Sequence, residues 1–275
     1  ELKIKSSGYP RKISGADVGR CVANADTIYK TFQTLIFLPL SNQFMALSKR
    51  MIPGDIEESG EFQLAYISKG GTFAPNTAVV EAVQEIERMG IMAKDNLKRS
   101  VEAFFDGDSE KISQVYRTEK NIDFLCKEIT DFLVRANQYE LAMGDKQRIG
   151  GLFHVVNDME RIGDHAENII EEAVSMNEEG LAFTKKGTKE IQEMYEKVEL
   201  ILDESIEMFV TLDEKNLQEI LKLENEIDEM ERELQNNHVK RMSKGKCTPQ
   251  AGIIFTDIVT GLERVADHAT NIAFS

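Results

Sequence analysis

The chain has 275 residues, 41% of them hydrophobic, which is enough for one large or two modest cores and too apolar for a disordered polymer. Tryptophan is absent, proline occurs five times and 29% of residues are charged, a balance that favours long exposed helices over a sandwich of short strands. The net charge of -15 is uneven, with 8 Lys+Arg against 3 Asp+Glu up to Gly54 and 25 against 45 beyond it; such a field repels nucleic acid and suits cations and basic partners.

Cys21, Cys126 and Cys247 are odd in number and far apart, so neither a disulfide framework nor a zinc pattern is present, and a reducing compartment fits best. The opening residues carry no signal-peptide pattern and read as the continuation of something larger. Residues 31–48 carry no charge over 18 positions and include Leu35-Ile36-Phe37-Leu38-Pro39-Leu40. That length just meets the threshold for spanning a bilayer. The alternative is a buried helix in a core, since Gln33, Asn42 and Gln43 lower the hydrophobicity and Pro39 kinks a helix. Pro53-Gly54, Gly60, Gly70-Gly71 and Pro75 then form the densest run of breakers in the chain. The expected organisation is a first segment 1–52 with one hydrophobic helix, a linker 53–74 and a helical domain 75–275.

Six long amphipathic patterns follow Pro75. They run from about Thr77 to Phe105, from the Asp106-Gly107-Asp108 turn to about Tyr139, and from about Asp145 to Met176. The next three run from about Lys186 to Leu212, from an Asp213 cap to about Met242, and from a Thr248 cap with Pro249 in the first helical position. The last three repeat the first three. At a shift of 105, Phe104, Asp108, Glu119, Ile122 and Asp123 match Phe209, Asp213, Glu224, Ile227 and Asp228. At a shift of 103, Glu160-Arg161-Ile162-Gly163-Asp164-His165-Ala166-Glu167-Asn168-Ile169 matches Glu263-Arg264-Val265-Ala266-Asp267-His268-Ala269-Thr270-Asn271-Ile272, identical at seven of ten positions. The fold class is therefore all-α: two repeated antiparallel three-helix bundles, 75–180 and 181–275, preceded by a membrane-spanning or otherwise hydrophobic helix.

Each helical residue turns about 100°, so with Glu160 at zero Asp164 falls at about 40° and Asn168 at about 80°, a narrow polar stripe. Val156, Met159, Gly163, Ala166 and Ile170 form the apolar stripe beside it, and the sixth helix repeats both with Glu263, Asp267 and Asn271. Carboxylates at i and i+4 lie about 5–6 Å apart and repel. One such pair in an acidic protein is ordinarily a solvated face, but duplication in register points to a cation held by oxygen ligands. The expected metal ligands are Glu160, Asp164, Glu263 and Asp267, with Asn168, Asn271, His165 and His268 at the edge of the stripe. Arg161 and Arg264 read as ion-pair partners of neighbouring acids, and His154 and His238, which lack repeat partners, as ordinary helix residues. The Glu-x-x-His pattern of di-iron oxidases is missing, since Gly163 and Ala266 stand three positions after the two glutamates. No Gly-rich phosphate loop or nucleophile elbow stands out, so no enzyme is expected.

The paired stretches Glu160 to Ile169 and Glu263 to Ile272 resemble the signature of PhoU proteins, regulators of bacterial phosphate uptake. The resemblance implies that Glu160, Asp164, Glu263 and Asp267 bind a divalent metal or multinuclear clusters of iron, zinc or nickel. Upstream, Val22-Ala23-Asn24-Ala25-Asp26-Thr27-Ile28-Tyr29 and Thr34 to Leu40 look like the last membrane helix of sodium-phosphate symporters, whose bacterial members carry a PhoU-like domain. No Gln-Ser-Ser motif of their transport core occurs here. That likeness implies a metal-binding regulatory domain of a sodium-phosphate cotransporter, at the cell membrane with residues 75–275 on the cytoplasmic side. Its partners would be the transporter's membrane part, which handles phosphate and sodium, and a second copy of the chain. The alternative is a free-standing PhoU-type regulator of an ABC phosphate transporter and its sensor kinase.

Overall fold

The structure is a computed structural model that describes residues 24, 27–31, 62–67 and 77–275. The chain divides into two compact units, Glu1–Ser59 and Gly60–Ser275. Beyond Thr31, the uncharged stretch 31–48 lies outside the described residues, as does most of the expected linker 53–74.

Six helices build the second unit: α1 (Ala78–Asp106), α2 (Ser109–Asn137), α3 (Met143–Glu178), α4 (Lys185–Thr211), α5 (Leu217–Ser243) and α6 (Pro249–Ala273), with a 3-10 turn at Glu214–Asn216. No strand occurs among the described residues. The starts follow from side chains that accept the orphan amides of a first turn. Asp108 accepts from Glu110 N and Lys111 N, Thr184 from Gly187 N, and Thr248 from Ala251 N, with Pro249 next in line. Asp213 caps the 3-10 turn through Lys215 N rather than opening α5 directly.

Helix α1 packs on α2 and α3 to form one bundle, α4 and α5 pack with α6 to form the other, and α3 lies against α6 to join them. The two-residue turn Gly107-Asp108 sends α2 back antiparallel along α1. Gly107 ends α1 in the left-handed region at φ 67°; its repeat counterpart, Leu212, ends α4 in the same conformation at φ 56°. The expected apolar stripe of α3, Val156, Met159, Gly163, Ala166 and Ile170, is buried throughout, as are Phe255, Val259, Leu262 and Ala266 of α6. Each large apolar side chain so buried contributes about 1.5–3 kcal/mol, and the core runs continuously through both bundles.

Part of the expected linker is folded onto the first bundle. Glu85, fully buried on α1, accepts at Oε2 from the amides of Ala65 (2.8 Å), Tyr66 (2.7 Å) and Ile67 (3.4 Å), and at Oε1 from Arg88. Asn121 of α2 accepts from Phe62 N at 3.1 Å, and the Phe62 ring stands edge-on to Phe124. In the second repeat the matching position, Glu190, serves differently: it binds the Arg241 guanidinium at 2.5 Å.

Candidate metal centres

The signature glutamates and aspartates occupy the outer edges of α3 and α6, one helical turn apart on each. The structure sets each pair against the second helix of its own repeat, giving two carboxylate groups. In the second repeat, Asp228 of α5 joins Glu263 and Asp267, with one oxygen of each within 4.8 Å of the others. In the first repeat, Glu119 and Asp123 of α2 stand beside Glu160 and Asp164. Glu119 is buried and its Oε1 has no hydrogen-bond partner.

Crowding of like charge in half-buried surroundings moves these groups together. Burial, then Asp123, Glu167, Asp164 and Glu160, push the Glu119 carboxyl up to about 7. Burial, then Asp267, Glu231 and Asp228, push Glu263 up to about 7. Glu160, Asp164, Asp267, Glu167 and Glu224 are all raised, with burial the first cause in each case. A cation coordinated by these oxygens removes both the repulsion and the protons.

Glu119, Asp123, Glu224 and Asp228 stand beside these carboxylates and are not among the expected metal ligands. The signal was present: each is a Glu-x-x-x-Asp pair, repeated at a shift of 105. The two centres are not identical. Position 126 holds a cysteine, whose thiol is pushed up to about 11 by burial and by Glu160 and Asp123, whereas its counterpart Glu231 accepts from Thr260 Oγ1 at 2.9 Å.

The histidines and asparagines fall elsewhere. His165 and His268 face each other between α3 and α6, ring centres 5.9 Å apart, and His268 Nδ1 lies 2.8 Å from Asp158 Oδ1. His165 makes no hydrogen bond among the described residues, and burial, then His268 and Arg264, lower its ring to about 4, so it is neutral at physiological pH. Asn168 lines a cleft together with His165, and Asn271 is exposed near the end of α6. Arg161 pairs with Asp164 at 2.9 Å and with Glu160 at 3.6 Å, as expected of an ion-pair partner. Arg264 makes no such pair among the described residues. His154 is exposed, while His238 is buried and stacked on Phe255 at 4.5 Å.

The PhoU domain matches the chain twice, over residues 86–173 and 191–275, one match per bundle. The chain belongs to the PhoU domain family. Among its relatives is the phosphate-specific transport system accessory protein PhoU homolog 1 of Thermotoga maritima, 25% identical over 68% of this chain and 81% of that protein. The PhoU homolog of Clostridium acetobutylicum is 27% identical over 71% of this chain and 89% of its own length. The crystal structure of PhoU from Pseudomonas aeruginosa superposes with a TM-score of 0.68 at 23% identity, covering 73% of this chain and 96% of that one. PhoU from Streptococcus pneumoniae gives 0.65 at 19% identity, over 73% and 93% of the two chains.

These relatives correct the expectation of a sodium-phosphate cotransporter domain. They are PhoU accessory proteins little longer than the two matched bundles, so the paired signature is at home in a protein without an attached symporter. The likeness to a symporter helix rested on Val22 to Tyr29 and Thr34 to Leu40, most of which lie outside the described residues. The expected placement at the cell membrane falls with it. Among the described residues no helix is long and apolar enough to cross a membrane, because the long helices keep a charged face outward.

Proposed function

We propose that the PhoU-type chain is a metal-dependent regulatory accessory protein of a phosphate transport system, with one metal centre per repeat. The observation that carries the reading is the duplicated group of carboxylates on facing helices, which includes a buried glutamate oxygen that no protein donor satisfies. Its relatives are named as accessory proteins of phosphate-specific transport systems, which supports the transporter as the partner. A bound divalent or multinuclear cluster of iron, zinc or nickel would supply the positive charge that oxygen ligands from two helices require. Glu119 and Asp123 with Glu160 and Asp164 would hold it in the first repeat, and Asp228 with Glu263 and Asp267 in the second. Drawing both carboxylate rows to one charge fixes α2 against α3 and α5 against α6, which sets the outer surface offered to a partner. The role is non-catalytic in this reading, because Gly163 and Ala266 occupy the positions at which a Glu-x-x-His oxidase places its ligands.

Cells lacking their own PhoU-type regulator, carrying a phosphate-starvation reporter, provide the test. The wild-type chain is expected to restore repression in high phosphate, and a variant with Glu119→Gln, Glu160→Gln and Glu263→Gln is expected to leave the reporter on at equal protein level. Full repression by that variant would discard a metal-dependent role.

A further inference from the structure

A cleft of about 320 Å³ opens between α3 and α6, away from the carboxylate groups. Its polar lining is ordered by charge. His165 and Glu172 stand seven residues apart on α3, and Asp257 and Arg264 seven apart on α6, so each pair lies on one face about 10 Å apart along its helix. His165 feels Arg264, while Glu172 feels Asp257. One end of the cleft therefore carries an imidazole and a guanidinium, and the other the carboxylates of Glu171, Glu172 and Asp257. Ile169 and Ile258 supply apolar wall in the same cleft.

The repeat explains why the basic end is unfilled. In the mirror position His268 has the Asp158 carboxylate at 2.8 Å, and Arg161 has Asp164 at 2.9 Å. The counterpart of Asp158 is Gly261, where an added Cβ would stand 3.8 Å from His165 Nδ1. His165 thus lacks the acid that its twin holds, and Arg264, which stands near Glu263 and Asp267, makes no ion pair among the described residues. Glycine here removes a carboxylate and leaves space for one brought from outside.

We propose that this cleft binds a small zwitterion, its carboxylate against Arg264 and His165, its ammonium between Glu172 and Asp257, and its methylene chain along Ile169 and Ile258. Charge-assisted pairing at both ends with an apolar middle selects molecules bearing the two charges at a distance, as ω-amino acids and short peptides do. The ligand uses none of the carboxylates assigned to the metal centres.

The chain contains four histidines, so the His165 ring can be followed by NMR of histidine-labelled full-length protein. Added 5-aminovalerate is expected to move the His165 signals, with valerate and pentylamine each binding about tenfold more weakly or worse because one charged pair is lost. Arg264→Gln and Glu172→Gln should each weaken 5-aminovalerate by about tenfold. Gly261→Asp supplies the missing carboxylate from within and should abolish the response while circular dichroism stays helical. An unmoved His165 signal in the wild type, an equal response to valerate, or an undiminished response in Gly261→Asp or Arg264→Gln overturns the proposal.

Discussion

Glu119 and Glu263 show how the environment of a single side chain sets the behaviour of the protein. Both carboxyls rise from an ordinary 4.5 to about 7. Between those values the folded chain holds about two protons that the unfolded chain has released, so stability is lost as pH rises through the window. His165 acts in the opposite sense, since its pKa falls from 6.5 to about 4 and the unfolded chain binds the extra proton. The two carboxyls, joined by the other raised acids, outweigh one imidazole up to about pH 6.5 and oppose no imidazole above it. Chelator-treated protein is expected to unfold at lower urea at pH 8 than at pH 5.5, and Glu119→Gln should flatten that slope. A midpoint that climbs with pH across this range contradicts the assignment. A second residue-scale test concerns Leu212, which holds the left-handed cap that Gly107 holds in the first repeat. The steric cost of that conformation for an L-residue is about 1–2 kcal/mol, partly offset by the greater unfolded-state freedom of glycine. Leu212→Gly should therefore raise stability by about 0.5–1 kcal/mol in urea unfolding.

At the scale of elements, the first centre depends on how closely α2 approaches α3. Gly163 sits at that contact, and a Cβ there would stand 3.2 Å from Ile122 Cδ1 and Cγ2. Its counterpart on α6 is Ala266, so the two helix pairs need not be equally close. Gly163→Leu forces the helices apart, which should cost about 1–3 kcal/mol of stability. It should also weaken metal uptake by the first repeat while leaving the second unchanged. Uptake lost equally from both repeats would show that the centres are not built by separate helix pairs.

For the whole molecule, much of the architecture was legible in the chain. The six helices fall within a few residues of their expected limits, because 3.6-residue periodicity and cap residues act locally. The duplication was legible because polar residues recur in register, and the family match falls once on each bundle. What local patterns do not encode is which outer faces come together. Glu160 and Glu263 each stand beside the second helix of their own bundle, an arrangement set by packing such as that of Ile122 on Gly163. The three amides gathered by Glu85 were unreadable for the same reason, being 18 to 20 residues distant and in a segment rich in breakers. The breaker pattern of that stretch does not reveal that residues 65–67 are pinned to α1.

Two separate centres, one in each repeat, are proposed to bind metal through carboxylates of paired helices. Elemental analysis of the chain after equilibration with iron, zinc or nickel and gel filtration tests this most directly. The wild type should retain metal; a variant lacking the acids at 119, 123, 160 and 164 should retain only the second repeat's share; one lacking those at 228, 263 and 267 should retain only the first's; and the combined variant should retain none. A wild type that emerges metal-free, or a combined variant that holds as much as the wild type, contradicts the account.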